Sequence, residues 1–207
     1  MKQFLMIAIA TLGVSMVAHA GFLIEPAVGM QGLSSTAYQY KNGGTTFSYT
    51  EASYPVMLRV AYMAANGFQF GINGGVYMSG AFTGVTPTTS VNDTFTRTSA
   101  AAIVGYENPK GFRVWVGYDF MNNITNTPAT TASANDLTSV TNTGMQAGFG
   151  WRFHNHIAIN ALYDVPGTPT AYQTKTNTNV QTSAVTSFTD SALLSIMVAF
   201  PFGGGKM

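Results

Sequence analysis

The stretch Phe112-Arg-Val-Trp-Val-Gly-Tyr-Asp-Phe120 alternates between two kinds of residue along its whole length. One parity is entirely apolar and consists of Phe112, Val114, Val116, Tyr118 and Phe120. The other parity is mixed and consists of Arg113, Trp115, Gly117 and Asp119. Because successive side chains of a β-strand point to opposite faces, the stretch predicts a strand with one apolar and one polar face. A helix would scatter the two charges among apolar neighbours, so a period of two is favoured.

Seven further segments repeat this alternation. They cover residues 22–31, 56–63, 68–78, 97–106, 144–153, 157–165 and 192–202. Each segment is about ten residues long, which is the length that a tilted strand needs to cross a bilayer. No Lys, Arg, Asp or Glu falls on the apolar parity of any segment. An uncharged face on every strand predicts a wall that faces lipid, because a basic side chain at mid-bilayer costs about 2–4 kcal/mol.

The connections between the segments alternate between long and short. The short ones are tight-turn sequences at Asn66-Gly67, Asn108-Pro-Lys-Gly111 and His154-Asn-His156, and the long ones are polar stretches at 32–53, 79–94, 122–142 and 166–187. An antiparallel meander with both termini on one side produces this rhythm, with short periplasmic turns and four long extracellular loops. The prediction is therefore an all-β fold, an eight-stranded antiparallel up-and-down transmembrane β-barrel. A soluble β-sandwich is the alternative, but it gives no reason to sort connections by length.

The composition agrees with a membrane barrel. Only 8% of the 207 residues are charged, whereas 46% are hydrophobic and 22 residues are glycine. A soluble domain carries about 25% charged residues. The net charge of +1 is unclustered and predicts no nucleic-acid partner. The absence of Cys from the sequence excludes a disulfide or a thiolate metal site.

The first twenty residues have the pattern of a secretory signal peptide. Lys2 supplies the positive start, an apolar stretch runs from Phe4 to Val17, and Ala18-His-Ala20 matches a small-x-small cleavage site. A buried helix or an uncleaved anchor is the alternative. The predicted domains are a signal peptide at 1–20, the barrel at 21–202 and a short C-terminal tail at 203–207.

Two sets of residues stand out as candidate sites. Since buried charges must be paired or hydrated, we predict a polar network in the lumen formed by Glu25, Arg59, Arg97, Arg113, Asp119, Arg152 and Asp164. Depth along the meander pairs Glu25 with Arg59 and Arg97 with Asp119, and leaves two arginines to find other acceptors. An eight-stranded barrel only just holds its own side chains, so the network is interpreted as structural filling, with an ion path as the alternative. The second set is an interfacial aromatic girdle at the short-turn ends, formed by Phe22, Tyr62, Phe68, Tyr106, Phe112, Phe153 and Phe202.

The pattern resembles the small outer-membrane barrels of Gram-negative bacteria, of the OmpA, OmpX and OmpW kind. The resemblance covers nearly the whole predicted mature chain, from Phe22 to Phe202, and includes the aromatic-ended last strand Leu194-Ser-Ile-Met-Val-Ala-Phe-Pro-Phe202. It implies a bacterial outer-membrane location, contact with membrane lipid and lipopolysaccharide, a monomer, and insertion by the outer-membrane assembly machinery. The chain departs from the pattern in Pro201 and in the added Gly203–Met207, which puts its recognition by that machinery in doubt.

Three classes of function follow. The first is a structural, adhesion or surface-interaction role, with a possible extracellular ligand at the loops. The second is a narrow channel for small or apolar solutes, for which inward glycines could leave space. The third is an outer-membrane enzyme, which the sequence disfavours because it has no Gly-x-Ser-x-Gly, His-Glu-x-x-His or phosphate-loop motif. His154 and His156 form a His-x-His pair without a third ligand nearby, so no metal and no cofactor are expected.

Overall fold

The computed structural model describes residues 21–32, 38–42, 45–85, 90–127, 136–176, 179–181, 187–190 and 192–203. The predicted signal peptide at 1–20 and the tail beyond residue 203 lie outside these residues. The strands are β1 (Phe22–Gln31), β2 (Tyr38–Asn42), β3 (Thr45–Met63), β4 (Phe68–Val85), β5 (Ser90–Glu107), β6 (Phe112–Thr127), β7 (Asp136–His154), β8 (Ile157–Thr176), β9 (Asn179–Gln181), β10 (Ser187–Asp190), β11 (Leu193–Ala199) and β12 (Phe202–Gly203). Within the described part of the chain, no helix has the length and apolar character needed to cross a membrane.

Eight strands form a closed antiparallel barrel, as predicted. The wall strands β1, β3, β4, β5, β6, β7, β8 and β11 follow one another in chain order around the barrel. Closure comes from the pairing of β1 with β11, in which Ala27 lies opposite Ala199 and Gln31 opposite Ser195. The short strand β12 completes the last wall strand by pairing with the start of β1. A closed meander leaves no unpaired sheet edge, which is the arrangement that a membrane requires.

The alternation of β6 is confirmed residue by residue. Phe112, Val114, Val116, Tyr118 and Phe120 are exposed, and Arg113, Trp115, Gly117 and Asp119 are buried. Phe112 lies opposite Trp151 of β7, and Val104 of β5 lies opposite Val116. The neighbouring strands therefore continue the same two faces, with large apolar side chains outside and polar ones inside. The structure has an inverted layout, since its apolar residues face outward over the entire wall.

The strands are longer than predicted. β3 to β8 contain 16 to 20 residues each, so strand pairing continues into stretches that the sequence predicts to be loops. Thr45–Ala52 of β3, for example, is paired with β2 or β4. The apolar alternation ends where both faces are polar, but threonine and tyrosine still favour the extended backbone. The hydrophobic alternation therefore underestimates the length of a strand that extends beyond the apolar part of the wall.

Two register shifts on β7 lie elsewhere, between Leu137 and Ser139 and between Arg152 and His154, but the others recur near the position where the apolar alternation ends. They occur between Ala52 and Ser53, between Met78 and Phe82, between Ala100 and Ala101, and on β6 and β7 around Asp119, Asn122 and Asn142. A bulge bends a strand and increases its local twist. We call the paired part beyond these shifts the rim. The shifts mark the boundary between the rim and the apolar part of the wall.

Candidate functional site: the barrel lumen

The first part of the lumen is a group of charged residues near the short turns, which we call the lower charged cluster: Glu25, Arg59, Glu107, Arg113 and Arg152. The carboxylate of Glu25 meets both Arg59 and Arg113, with 3.5 Å between Arg59 Nη1 and Glu25 Oε1 and a very close contact to Arg113 Nη1. Arg152 Nη2 donates to Glu107 Oε2 at 3.0 Å, and Arg113 Nη1 lies 3.9 Å from the same oxygen. The five side chains therefore form one connected network across the barrel.

Two predictions about this cluster have clear outcomes. The predicted pairing of Glu25 with Arg59 is confirmed, because the two residues are direct partners in the β1–β3 register. Arg113 and Arg152 find their acceptors in Glu25 and Glu107. Glu107 was missed because the predicted strand ended at Tyr106, although Glu107 has the parity of the inward residues Gly105 and Arg97. Its position opposite Arg113 in the β5–β6 hairpin was the signal that could have identified it.

An apolar layer follows above the lower charged cluster. Along β5, β6 and β8, the buried residues Ile103, Trp115 and Leu162 each lie between polar residues nearer to and farther from the short turns. They pack in one buried group with Met57 and Met197. The guanidinium carbon of Arg59 lies 3.7 Å from the centre of the Trp115 ring. The indole therefore separates the charged cluster from the rest of the lumen.

The inward glycines accommodate these large side chains. A methyl group on Gly148 would overlap the indole of Trp115, and one on Gly117 would come within 2.8 Å of Ile103 and 3.0 Å of Gln146. A methyl on Gly75 would collide with the sulfur of Met57. At these positions a neighbouring side chain occupies the space that a side chain on the glycine would fill. The glycines do not enlarge the lumen there.

A second polar group lies farther from the short turns. Gln146 links two strands, since its oxygen accepts from Asn73 at 2.8 Å and its nitrogen donates to Asp119 at 2.7 Å. Asp164 Oδ2 accepts from Tyr77 at 3.3 Å and from Gln31 at 3.4 Å. These bonds connect β1, β4, β6, β7 and β8 through the centre of the barrel.

Arg97 and Asp119, predicted as a pair, interact electrostatically but have different direct hydrogen-bond partners. Arg97 donates through Nε to Asn122 at 2.8 Å, while Asp119 is held by Gln146. The β5–β6 register explains the difference, because it places Arg97 opposite Ile124 and Asp119 opposite Ala101. The bulge between Ala100 and Ala101 adds to this separation. Arg97 also lies 5.2 Å from the ring centre of Tyr77.

The outer wall carries the predicted aromatic residues at its short-turn end. Phe22, Tyr62, Phe68, Tyr106, Phe112 and Phe153 are exposed, and Phe202 is half-buried. Two of them contact other aromatic residues across neighbouring strands: the ring centres of Phe112 and Trp151 are 6.1 Å apart, and those of Tyr62 and Phe70 are 5.4 Å apart. Phe202 lies 5.8 Å from the ring of His156. The wall between these residues and the bulges is lined by exposed large apolar side chains on every wall strand.

His154 is the last residue of β7 and His156 lies in the β7–β8 turn, with their ring centres 6.2 Å apart. His156 Nδ1 is 3.3 Å from the carbonyl oxygen of Pro201, which connects the turn to the last wall strand. Among the described residues, no three His, Cys, Asp or Glu side chains are grouped as a metal site would require. The turn therefore has a structural contact and no assembled ligand set.

The closed wall, the outward apolar face and the polar interior define the class of this fold: a small eight-stranded barrel of the outer-membrane type. The structure is similar to the crystal structure of the outer membrane protein OprG from Pseudomonas aeruginosa, with a TM-score of 0.56, 12% identity, and coverage of 89% of this chain and 97% of that chain. This likeness establishes the fold.

Two other solved structures align less closely. The first is Neisserial surface protein A, with a TM-score of 0.44, 8% identity, and coverage of 87% of this chain and 95% of that chain. The second is Ail of Yersinia pestis, with a TM-score of 0.47, 12% identity, and coverage of 89% of this chain and 100% of that chain. No protein-family model matches the chain, and no curated protein matches it in sequence.

Proposed function

We propose that the chain is an integral outer-membrane barrel that anchors an extended rim at the cell surface, with a structural, adhesion or surface-interaction role. The observation that carries this proposal is the filled lumen. Trp115 packs between Arg59 and the backbone of Gly148, and the lower charged cluster and the apolar layer lie across the interior. An eight-stranded barrel is just wide enough to be closed by its own side chains. A closed lumen supports a function on the outside of the barrel.

The wall supports the membrane location. Exposed large apolar residues are distributed over all eight wall strands, as with Val28, Leu58, Ile72 and Val116. A water-soluble protein rarely exposes a contiguous apolar patch larger than a few hundred Å². Hydrocarbon is the solvent in which such a surface is stable. Membrane lipid and lipopolysaccharide are accordingly the proposed partners of the wall, and export by a cleaved signal peptide belongs to the same proposal.

The rim supports the surface role. β8 has 20 residues, whereas a tilted strand needs about ten to cross a bilayer. The additional residues lie beyond the bulges, at the end of the barrel opposite the short turns. The start of β1 and the end of β12 lie at the short-turn end. Strand pairing continues beyond the bulges between β2 and β10 across the closure of the barrel. The rim is therefore a continuation of the barrel, and it would present the connecting segments to an extracellular ligand at a distance from the bilayer.

The two tryptophans allow a direct test. Trp115 is buried in the lumen and Trp151 is exposed on the wall, and the chain contains only these two. In the protein refolded into lipid vesicles, Trp151→Phe leaves Trp115 as the only indole, and Trp115→Phe leaves Trp151. We expect lipids with brominated acyl chains to quench Trp151 and not Trp115. We expect neutral acrylamide in the water to leave Trp115 nearly unquenched, because the lumen is filled.

The same preparation should be silent in planar bilayers. Retention of the folded band on SDS gels without boiling is the control for insertion. Discrete conductance together with acrylamide quenching of Trp115 would contradict the proposal and support a narrow channel. Absence of quenching of Trp151 by brominated lipid would remove the wall from the membrane.

A further inference from the structure

The lower charged cluster has an excess positive charge. It contains three guanidinium groups, on Arg59, Arg113 and Arg152, and two carboxylates, on Glu25 and Glu107. Arg59 and Arg113 are at most 3% exposed. Isolated charge inside a protein is costly unless it is compensated nearby. The cluster therefore holds one positive charge that its own carboxylates do not balance, while the carboxylates of Asp119 and Asp164 lie farther from the short turns.

Several donors of the cluster have no protein partner. They are Arg59 Nε and the Nε and Nη2 atoms of Arg113, and all three are buried. Gln69 adds an amide whose nitrogen and oxygen are both buried without a partner. Gln69 lies opposite Gly105 in the β4–β5 register, which is one inward position from Glu107. Unpaired donors and excess positive charge thus occur at the same level of the lumen.

We propose that this level of the lumen is a binding site for a small monovalent anion of the halide type, held by Arg59, Arg113 and Gln69. The inference rests on the filled lumen described above. Guanidinium and amide N–H groups are strong donors to an anion, and such charge-assisted hydrogen bonds are stronger than neutral ones. The side chain of Arg152 is 15% exposed. This exposure gives the cluster contact with the solvent at the short-turn end.

The charge and the packing define the class of ligand. Three guanidinium groups and two carboxylates leave one excess positive charge, which a monovalent anion balances, whereas a divalent anion would leave a buried negative excess. Glu25 and Glu107 already occupy the other edges of the guanidinium groups and would repel a larger anion. The site is separated from the upper part of the lumen by Trp115 and its apolar neighbours. The anion is therefore a bound component of the lumen and does not pass through it.

Trp115 is a natural reporter because the guanidinium of Arg59 lies against its ring. In the Trp151→Phe protein, bromide and iodide are titrated at constant ionic strength with gluconate as the balancing anion. We expect quenching of Trp115 that saturates with halide concentration and that chloride reverses by competition. Acrylamide, which needs an open path and no positive charge, is run in parallel.

Gln69→Glu tests the site without changing the size of the side chain. The new carboxylate supplies the missing negative charge, so we expect it to weaken halide binding by about tenfold or more while the barrel remains folded. The matched control is Asn122→Asp, an equally isosteric amide-to-carboxylate change farther from the short turns, where the side-chain oxygen still accepts from Arg97. It should leave the midpoint of the halide titration within about twofold of that of the parent protein. Migration without boiling verifies the fold of both variants.

The possible results separate this inference from the proposed function. Saturable quenching that Gln69→Glu removes supports the anion site. Absence of halide quenching, with acrylamide also excluded, would overturn the anion site and leave the filled lumen intact. Linear quenching by halide and acrylamide alike, unchanged by Gln69→Glu, would overturn both.

Discussion

All four arginines of the sequence face the lumen, and each contacts an acidic or amide side chain there. Lys110, by contrast, is exposed in the β5–β6 turn. Arginine suits an interior position because its planar group offers five donors in a fixed geometry and can stack on an aromatic ring. Arg59 uses both properties, with Glu25 on one side and Trp115 on the other. The inward cations are thus arginines because a buried cation needs several partners at once.

Glu25 is the residue whose loss should cost most in this network. Glu25→Gln keeps the shape of the side chain but removes the charge that meets Arg59 and Arg113. Removing one partner of a buried ion pair typically costs about 3–5 kcal/mol, because the other charge is left uncompensated. We expect a decrease of that order in the free energy of unfolding, measured by urea titration of the barrel in detergent.

Two comparisons make the result specific. Lys110→Gln alters an exposed turn charge and should change stability by no more than about 0.5 kcal/mol. The double variant Glu25→Gln/Arg59→Gln should recover part of the loss, since one of the two cations that lost Glu25 as a partner is gone. An unchanged urea midpoint for Glu25→Gln alone would show that the ion pairs do not stabilise the lumen.

At the scale of the elements, a repeated backbone bond joins neighbouring hairpins at the short-turn end. The carbonyl oxygens of Gly21, Gly67 and Gly111 accept hydrogen bonds from the amides of Met63, Glu107 and Arg152, at 2.6, 2.8 and 2.8 Å. Each of these glycines has positive φ, between 87° and 118°. A side chain at Gly111 would collide with the carbonyl oxygen of Arg152. The turns therefore require glycine for both conformation and close approach.

Gly111→Ala should destabilise the barrel by about 1–3 kcal/mol, because alanine is strained at this φ and the hairpin contact must open. The measurement is the temperature at which the unboiled folded band is lost. Gly74→Ala is the control, since Gly74 is half-exposed on the wall and its nearest added contact is Ser99 O at 3.2 Å. Equal decreases in this temperature for the two variants would show that glycine is not specifically required in the turn.

At the scale of the whole molecule, the barrel has two environments along its axis. Val116 is an exposed wall residue in the middle of the apolar part of β6, and Thr125 is an exposed residue of the same strand beyond the bulge. The wall changes from apolar to polar between them although strand pairing is continuous. We therefore expect the bilayer boundary to lie within β6 and not at its end.

Arginine substitution maps that boundary. Val116→Arg should lower stability in lipid by about 2–4 kcal/mol, because the charge would lie near the bilayer midplane. Thr125→Arg should change it by less than about 1 kcal/mol, because the side chain faces water. Folding yield into vesicles and urea midpoints measure both. A large loss of stability for Thr125→Arg would mean that the rim lies in the bilayer. No loss for Val116→Arg would show that the wall does not face lipid.

The sequence by itself determined the barrel, its strand order and the orientation of each described segment. The reason is local: a lipid-facing wall imposes a period of two on every strand, and the parity of Phe112–Phe120 can be read without knowing its neighbours. The short turns were also readable, because Asn66-Gly67 and Asn108–Gly111 carry the residues that tight turns need.

Apart from the pairing of Glu25 with Arg59, only the tertiary structure decided the partners inside the lumen and the length of the strands. Arg97 and Asp119 have the right charges and parity, but a bulge and the β5–β6 register separate them. Glu107 gained its role from Arg152, which lies 45 residues away in the chain. Contacts across a lumen depend on the register and tilt of all the strands and on the lengths of the side chains. The sequence of a single segment does not determine that combined geometry. The rim likewise needed the structure, since pairing between polar strands leaves no hydrophobic period.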